Sequence, residues 1–138
     1  MYVGLFGYTL NADISNIGVV ISGEVNGNFY VGGLVGRQNG SRMTNSYTAG
    51  NVTGYGTVGG LVGVKTNNTI TNGYCYKYIK ILRNGVPVSH IVDNPTDIHG
   101  GTVNAFELMI KATYDTSHTS WDFYPAGPWY WDNVENFP

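Results

Sequence analysis

Short runs of β-branched, aromatic and small residues alternate with glycine and asparagine along the first half of the chain, and the runs recur. The clearest stretch is Tyr30-Val31-Gly32-Gly33-Leu34-Val35-Gly36, then a polar loop through Arg42, then Met43-Thr44-Asn45-Ser46-Tyr47. Apolar runs of this length between glycine and asparagine punctuation predict β-strands. Strict alternation predicts Met43, Asn45 and Tyr47 on one face, with Thr44 and Ser46 on the other. The same pattern returns as Ile70, Asn72 and Tyr74 against Thr71 and Gly73. This half of the chain has no helical period, and its glycine density penalises helix.

The pattern Gly-apolar-apolar-Gly occurs as Gly4-Leu5-Phe6-Gly7, Gly33-Leu34-Val35-Gly36 and Gly60-Leu61-Val62-Gly63, with first glycines 29 and 27 residues apart. Seven residues after each closing glycine stands a large apolar residue: Ile14, Met43 or Ile70. Two residues further on comes Asn16, Asn45 or Asn72. A fixed period of this size marks stacked units that cannot bury their apolar faces alone. The expectation is a mainly β protein, a parallel β-helix-like solenoid of about three coils with three short strands per turn. Gly33, Gly36, Gly60 and Gly63 are expected to turn corners with positive φ and to let neighbouring coils approach. Leu5, Phe6, Leu34, Val35, Leu61 and Val62 supply inward contacts, and alternation leaves open which of each pair faces in. The asparagines fit two readings, a ladder of amides bonded at strand spacing or a side chain closing each local turn. Between Ile14 and Gly23 the first copy holds two residues more than the matching Met43–Gly50. Terminal repeats are commonly atypical.

After Tyr74 the period ends, which divides the chain into repeats over 1–76 and a capping region over 77–138, packed as one domain. A hairpin is expected over 77–92, because Asn84-Gly85 favours a two-residue turn. Pro87 lacks a backbone donor and places the return strand at an edge. A helix is expected over about 104–113, with Asn104 as cap, Glu107 completing the capping box, and Phe106, Met109, Ile110 and Thr113 as its apolar stripe. The aromatic tail, 114–138, would help cover the open end of the stack.

Composition narrows the function. Hydrophobic residues make up 42% of the chain, enough for a core, and charged residues only 12%; glycine, tyrosine and uncharged polar side chains take their place. A net charge of -2 argues against nucleic acid or an anionic membrane as partner. No apolar run approaches the ~18 residues that suggest a membrane span, so no insertion by this segment is expected. The opening Met1-Tyr2-Val3 lacks a basic region and leads straight into a repeat. A fragment of a longer parent chain is therefore expected, without its signal peptide and with further repeats elsewhere.

Candidate chemistry is sparse. His90, His99 and His118 lack metal-ligand spacing, and the single Cys75 sits between Tyr74 and Tyr76 as a small buried residue would. The glycine-rich blocks precede no helix that could receive a pyrophosphate. Asp115, Asp122, Asp132 and Glu135 could supply paired carboxylates for glycoside cleavage, but each also suits a turn or cap. No catalytic residue, metal or cofactor is assigned. Trp121, Tyr124, Trp129, Tyr130 and Trp131, with Asp122 and Asp132, have two readings: a platform on which sugar rings stack, or a plug over the last coil.

The block Tyr30–Gly54, repeated less completely at Met1–Gly27 and Thr57–Tyr76, resembles the GLUG motif. That short bacterial repeat is written Val-Gly-Gly-Leu-Val-Gly, then Ile-x-Asn-x-Tyr, then Gly-x-Val-x-Gly. Glu107–Tyr114 followed by Trp121-Asp122-Phe123 and Trp129 is similar to the segment that often closes such arrays, with Ser120 where a glycine is usual. The resemblance implies an extracellular, β-helix-like stalk or adhesive region. Such repeats occur in large bacterial surface proteins, including adhesin-like proteins and non-catalytic parts of some IgA-cleaving metallopeptidases. It implies no catalytic residue. The expected partner is a host or bacterial surface glycan or protein, with a carbohydrate-binding module built on the tail aromatics, or a polysaccharide-cleaving β-helix enzyme, as alternatives.

Overall fold

A computed structural model describes residues 1–88 and 93–104. Three sets of strands repeat in chain order: β1 (Tyr2–Val3), β2 (Phe6–Leu10) and β3 (Asp13–Gly27), then β4 (Tyr30–Gly32), β5 (Val35–Asn39) and β6 (Arg42–Gly54), then β7 (Thr57–Gly59), β8 (Val62–Thr66) and β9 (Thr69–Tyr76). Each strand pairs in parallel with its counterpart one turn away, giving the sheets β1-β4-β7 and β2-β5-β8 and a third sheet in which β6 lies between β3 and β9. The protein is a β-solenoid. After β9 the chain forms β10 (Ile81–Arg83), which continues the third strand of the third coil by pairing with Val52–Gly54 of β6. Beyond the three expected coils comes part of a fourth: the Ile98 carbonyl accepts the amides of Leu61 and Val62, and β12 (Gly101–Val103) pairs with Tyr74–Tyr76.

The stack buries two apolar columns. One joins Ile14, Met43 and Ile70 to Leu34, Val35, Leu61 and Val62; the other joins Val31, Val52, Val58, Cys75, Ile79 and Ile81. Both members of each aliphatic pair are buried in coils two and three. The reason is local: Leu34 and Leu61 sit in the bends between strands, where alternation does not apply. In the first coil the expectation of inward contacts fails, since Leu5 is 57% exposed and Phe6 38% exposed. They lie on the end coil, with the next coil on one side only.

Corners are turned differently from expectation. None of Gly33, Gly36, Gly60 and Gly63 has positive φ; the left-handed positions are Asn16, Asn45 and Asn72, at φ 58, 47 and 52. A second left-handed column is Asn11, Gly40 and Asn67, at φ 50, 59 and 53. Asparagine tolerates this region better than other side-chain-bearing residues because its short amide bonds locally. The turn at Asn45 also breaks the expected alternation. Pairing runs through Thr44 and Ser46 but skips Asn45, so Met43, Ser46 and Tyr47 are all buried.

The motif glycines serve close approach instead. A methyl group at Gly63 would stand 2.5 Å from the Gly36 carbonyl oxygen and 2.5 Å from the Val31 amide nitrogen. At Gly33 it would stand 2.5 Å from the Gly60 oxygen and 2.8 Å from Thr48 Cγ2. These neighbours are mostly backbone, which cannot rotate away as a flexible side chain can.

The two extra residues of the first coil are absorbed where register shifts between Val20 and Glu24, opposite Gly50 at φ 152. Asn84 and Gly85, at φ 52 and 75, form the turn between β10 and the edge strand β11 (Val86–Pro87). β10 is paired on both edges, with β11 on one side and β6 on the other, and residues 89–92 of the expected hairpin lie outside the described residues. The helix expected over about 104–113 and the tail 114–138 fall outside the described residues, Asn104 apart.

Candidate functional site

Polar groups at the corners and on the outer surface do different work. At one corner the part-buried Asn45 amide donates to Asn16 Oδ1 at 3.3 Å, and the Asn72 amide donates to Asn45 Oδ1 at 3.0 Å. These bonds form the ladder, and each of the three asparagines also takes the left-handed conformation that turns its corner. A parallel arrangement links the next corner, where Ala12 N donates to Ser41 Oγ at 3.1 Å and Ser41 N to Asn68 Oδ1 at 3.0 Å. Coils are thus tied by amide bonds as well as by apolar columns.

Residues 27–53 match the family description "The GLUG motif". This chain carries a GLUG motif. The matched residues make one full turn, from the end of β3 through β4 and β5 to Thr53 in β6. Strand pairing lays Tyr2–Val3 on Tyr30–Val31, and Thr57–Gly59 on Tyr30–Gly32, so the neighbouring turns repeat the GLUG coil in space. No curated protein and no solved structure matches the chain.

On the outside of the GLUG coil and the coil before it, five side chains converge. Tyr2 stacks on Tyr8 with ring centroids 5.5 Å apart and on Tyr30 at 5.5 Å, with interplanar angles of 28° and 20°. The Arg37 guanidinium carbon lies 5.8 Å from the ring centres of both Tyr2 and Tyr8. Its Nη1 donates to the Tyr2 hydroxyl at 3.2 Å, and the Asn39 amide donates to the Tyr8 hydroxyl at 3.3 Å. That bond to Tyr2 is the main reason the guanidinium pKa is held above its ordinary value. Solenoid geometry builds this face: Tyr2 lies in register with Tyr30, and Tyr8 with Arg37. Sequence reasoning missed it because Tyr2 and Tyr8 belong to the loosest repeat and Arg37 has no counterpart in the others.

A second surface feature is a shallow groove of about 220 Å³ lined by Glu24, Asn26, Thr53, Tyr55, Leu82 and Gly85. The Glu24 carboxylate accepts from the Asn26 amide and the Thr53 hydroxyl, each at 3.2 Å. Tyr55 stands 68% exposed beside it.

The remaining candidates divide simply. Cys75 is buried, and desolvation, with the nearby Asp93 charge second, pushes its thiol up to about 12, so it remains a neutral thiol near pH 7. His99 is buried and its Nδ1 accepts from Gly60 N at 3.4 Å; burial lowers its pKa, with Asp97 opposing. Among the described residues no three of His, Cys, Asp and Glu come together as metal ligands. His90, His118, the carboxylates Asp115, Asp122, Asp132 and Glu135, and the platform Trp121, Tyr124, Trp129, Tyr130 and Trp131 lie outside the described residues.

Proposed function

We propose that this chain is a non-catalytic display segment of a bacterial cell-surface protein, a rigid stack that presents its outer side chains for adhesion. The observation that carries this reading is the in-register repetition of buried apolar side chains from coil to coil, Ile14 on Met43 on Ile70, beside the part-buried ladder of bonded Asn16, Asn45 and Asn72. Such a stack fixes outward residues at strand spacing while its apolar columns hold the coils together. The GLUG motif at residues 27–53 supports an extracellular bacterial setting. Beads coated with the chain should adhere to a panel of host and bacterial surface glycans and proteins without releasing reducing ends or new N-termini. Turnover of any panel member would replace this reading with an enzymatic one. Absence of adhesion throughout would remove the display role and leave a stalk.

A further inference from the structure

The tyrosine–arginine face gives this display reading a ligand chemistry. Three stacked rings, Tyr8, Tyr2 and Tyr30, form a short aromatic row across two coils. Tyr8 is 44% exposed, with Tyr2 stacked on its ring and the Arg37 guanidinium carbon 5.8 Å from its centre. Arg37 is held in place by the Tyr2 hydroxyl and by two ring faces, and the groups acting on its charge are tyrosines rather than carboxylates. The guanidinium has five donors, and among the described residues one bond, from Nη1, is made. Nε is shut off from solvent, so the terminal nitrogens Nη1 and Nη2 are the ones a ligand can reach. Lys65, one register step from the Arg37 partner Val64, is turned to a different task, donating to the Thr96 carbonyl at 2.7 Å.

We propose that this face binds a saccharide bearing a carboxylate. One sugar ring packs against the exposed part of Tyr8, where an aromatic ring offers apolar area with a polar handle. The carboxylate is taken by the Nη1–Nη2 edge of the Arg37 guanidinium, whose two planar donors match its two oxygens. Asn39, beside the Tyr8 hydroxyl, is placed to bond a ring hydroxyl. Because the rings and the guanidinium are already ordered by one another, little side-chain freedom is lost on binding. The Glu24 groove on the other outer face carries the opposite charge and so serves as an internal control.

Uronate and sialate residues share this chemistry, and the test separates them. Binding of the folded full chain is measured by calorimetry against a galacturonate hexasaccharide, its methyl ester, sialyllactose and lactose, with circular dichroism on the same samples. The expected result is binding of galacturonate, sialyllactose or both, weakened about tenfold or more by esterification, by removal of the sialate, or by Arg37→Gln. Arg37→Lys should restore only part of the loss, Tyr8→Ala should weaken binding, and Glu24→Gln should leave it unchanged. Equal binding of acid and ester, preference for the neutral sugar, an unchanged Arg37→Gln, or no binding with the β signal intact would each overturn the proposal. Those outcomes leave the stacked scaffold untouched. Loss of the β signal in Arg37→Gln shifts the decision to Arg37→Lys and to the ester comparison on the native chain, which needs no variant.

Discussion

The first and second coils share a sequence pattern but live in different surroundings. Leu34 and Val35 are fully buried between neighbours on both sides, whereas Leu5 and Phe6, their counterparts, stand 57% and 38% exposed. The first coil also has one glycine where the second has Gly32-Gly33, so its register offset moves from 28 residues at Tyr2–Tyr30 to 29 at Phe6–Val35. The contrast teaches that a GLUG block is half of an interaction. Its apolar pair becomes core only when another coil lies on each side.

Substitutions at matched positions should separate the two coils. The largest difference is expected for glycine. A side chain at Gly36 would strike Val3 N and approach the Gly7 oxygen at 2.7 Å, while Gly7 meets only the Tyr2 oxygen at 3.2 Å. Gly36→Val should therefore cost about 3 kcal/mol, the upper end of overpacking, and Gly7→Ala much less, both read from urea melts. Equal costs would show that the two strands are not packed face to face at the second coil alone. Next comes truncation: Leu34→Ala should cost about 2–5 kcal/mol and Leu5→Ala under about 0.5 kcal/mol by the same assay.

The asparagine ladder offers a smaller and more discriminating effect. Asn45→Ala loses both the left-handed preference and the bonds to Asn16 and Asn72, and should cost about 1–3 kcal/mol. Asn45→Gly keeps the backbone preference, so its remaining cost isolates the ladder. If alanine and glycine variants are equally stable, the turn contributes nothing at this corner. If glycine restores wild-type stability, the ladder contributes nothing.

The smallest effect concerns pH. Burial raises the Cys75 pKa from an ordinary 9.0 to about 12. The unfolded chain therefore loses this proton first as pH rises, so stability is full below pH 9 and declines between 9 and 12. The limiting slope is roughly 1.4 kcal/mol per pH unit for one such group. Tyr47 and Tyr74, also raised by burial, act in the same direction. Comparing wild type with Cys75→Ala by urea melts at pH 8 and pH 10 isolates the thiol; a parallel decline in both would assign it to the tyrosines. His99 works at the opposite end. Its depressed pKa means that the unfolded chain takes up the proton first, so its contribution is lost as pH falls below about 6.5.

Much of the architecture was legible because translational repetition writes itself into sequence. A period of 27–29 residues, with Ile14, Met43 and Ile70 in step, is what parallel stacking in register requires. The asparagine ladder was legible for the same reason. What escaped was local backbone geometry. Period-2 alternation assumes extended residues throughout, and a left-handed Asn45 inserts a corner that carries Ser46 inward. The glycines misled in a related way, since scarcity of space and positive φ both select glycine and sequence does not separate them. The Tyr2–Tyr8–Tyr30–Arg37 face was hidden because its members are not periodic with one another; only folding the strands brings them together.

Native-state hydrogen exchange, read residue by residue, tests the stacked-coil account most directly. The amides of Leu34 and Leu61 donate one coil onward, to Leu61 O at 2.9 Å and Ile98 O at 2.9 Å, whereas Leu5 makes no such bond among the described residues. Leu34 and Leu61 should exchange only through global unfolding, and Leu5 at the rate of a frayed end. Exchange of Leu34 and Leu61 as fast as Leu5 would contradict the stack.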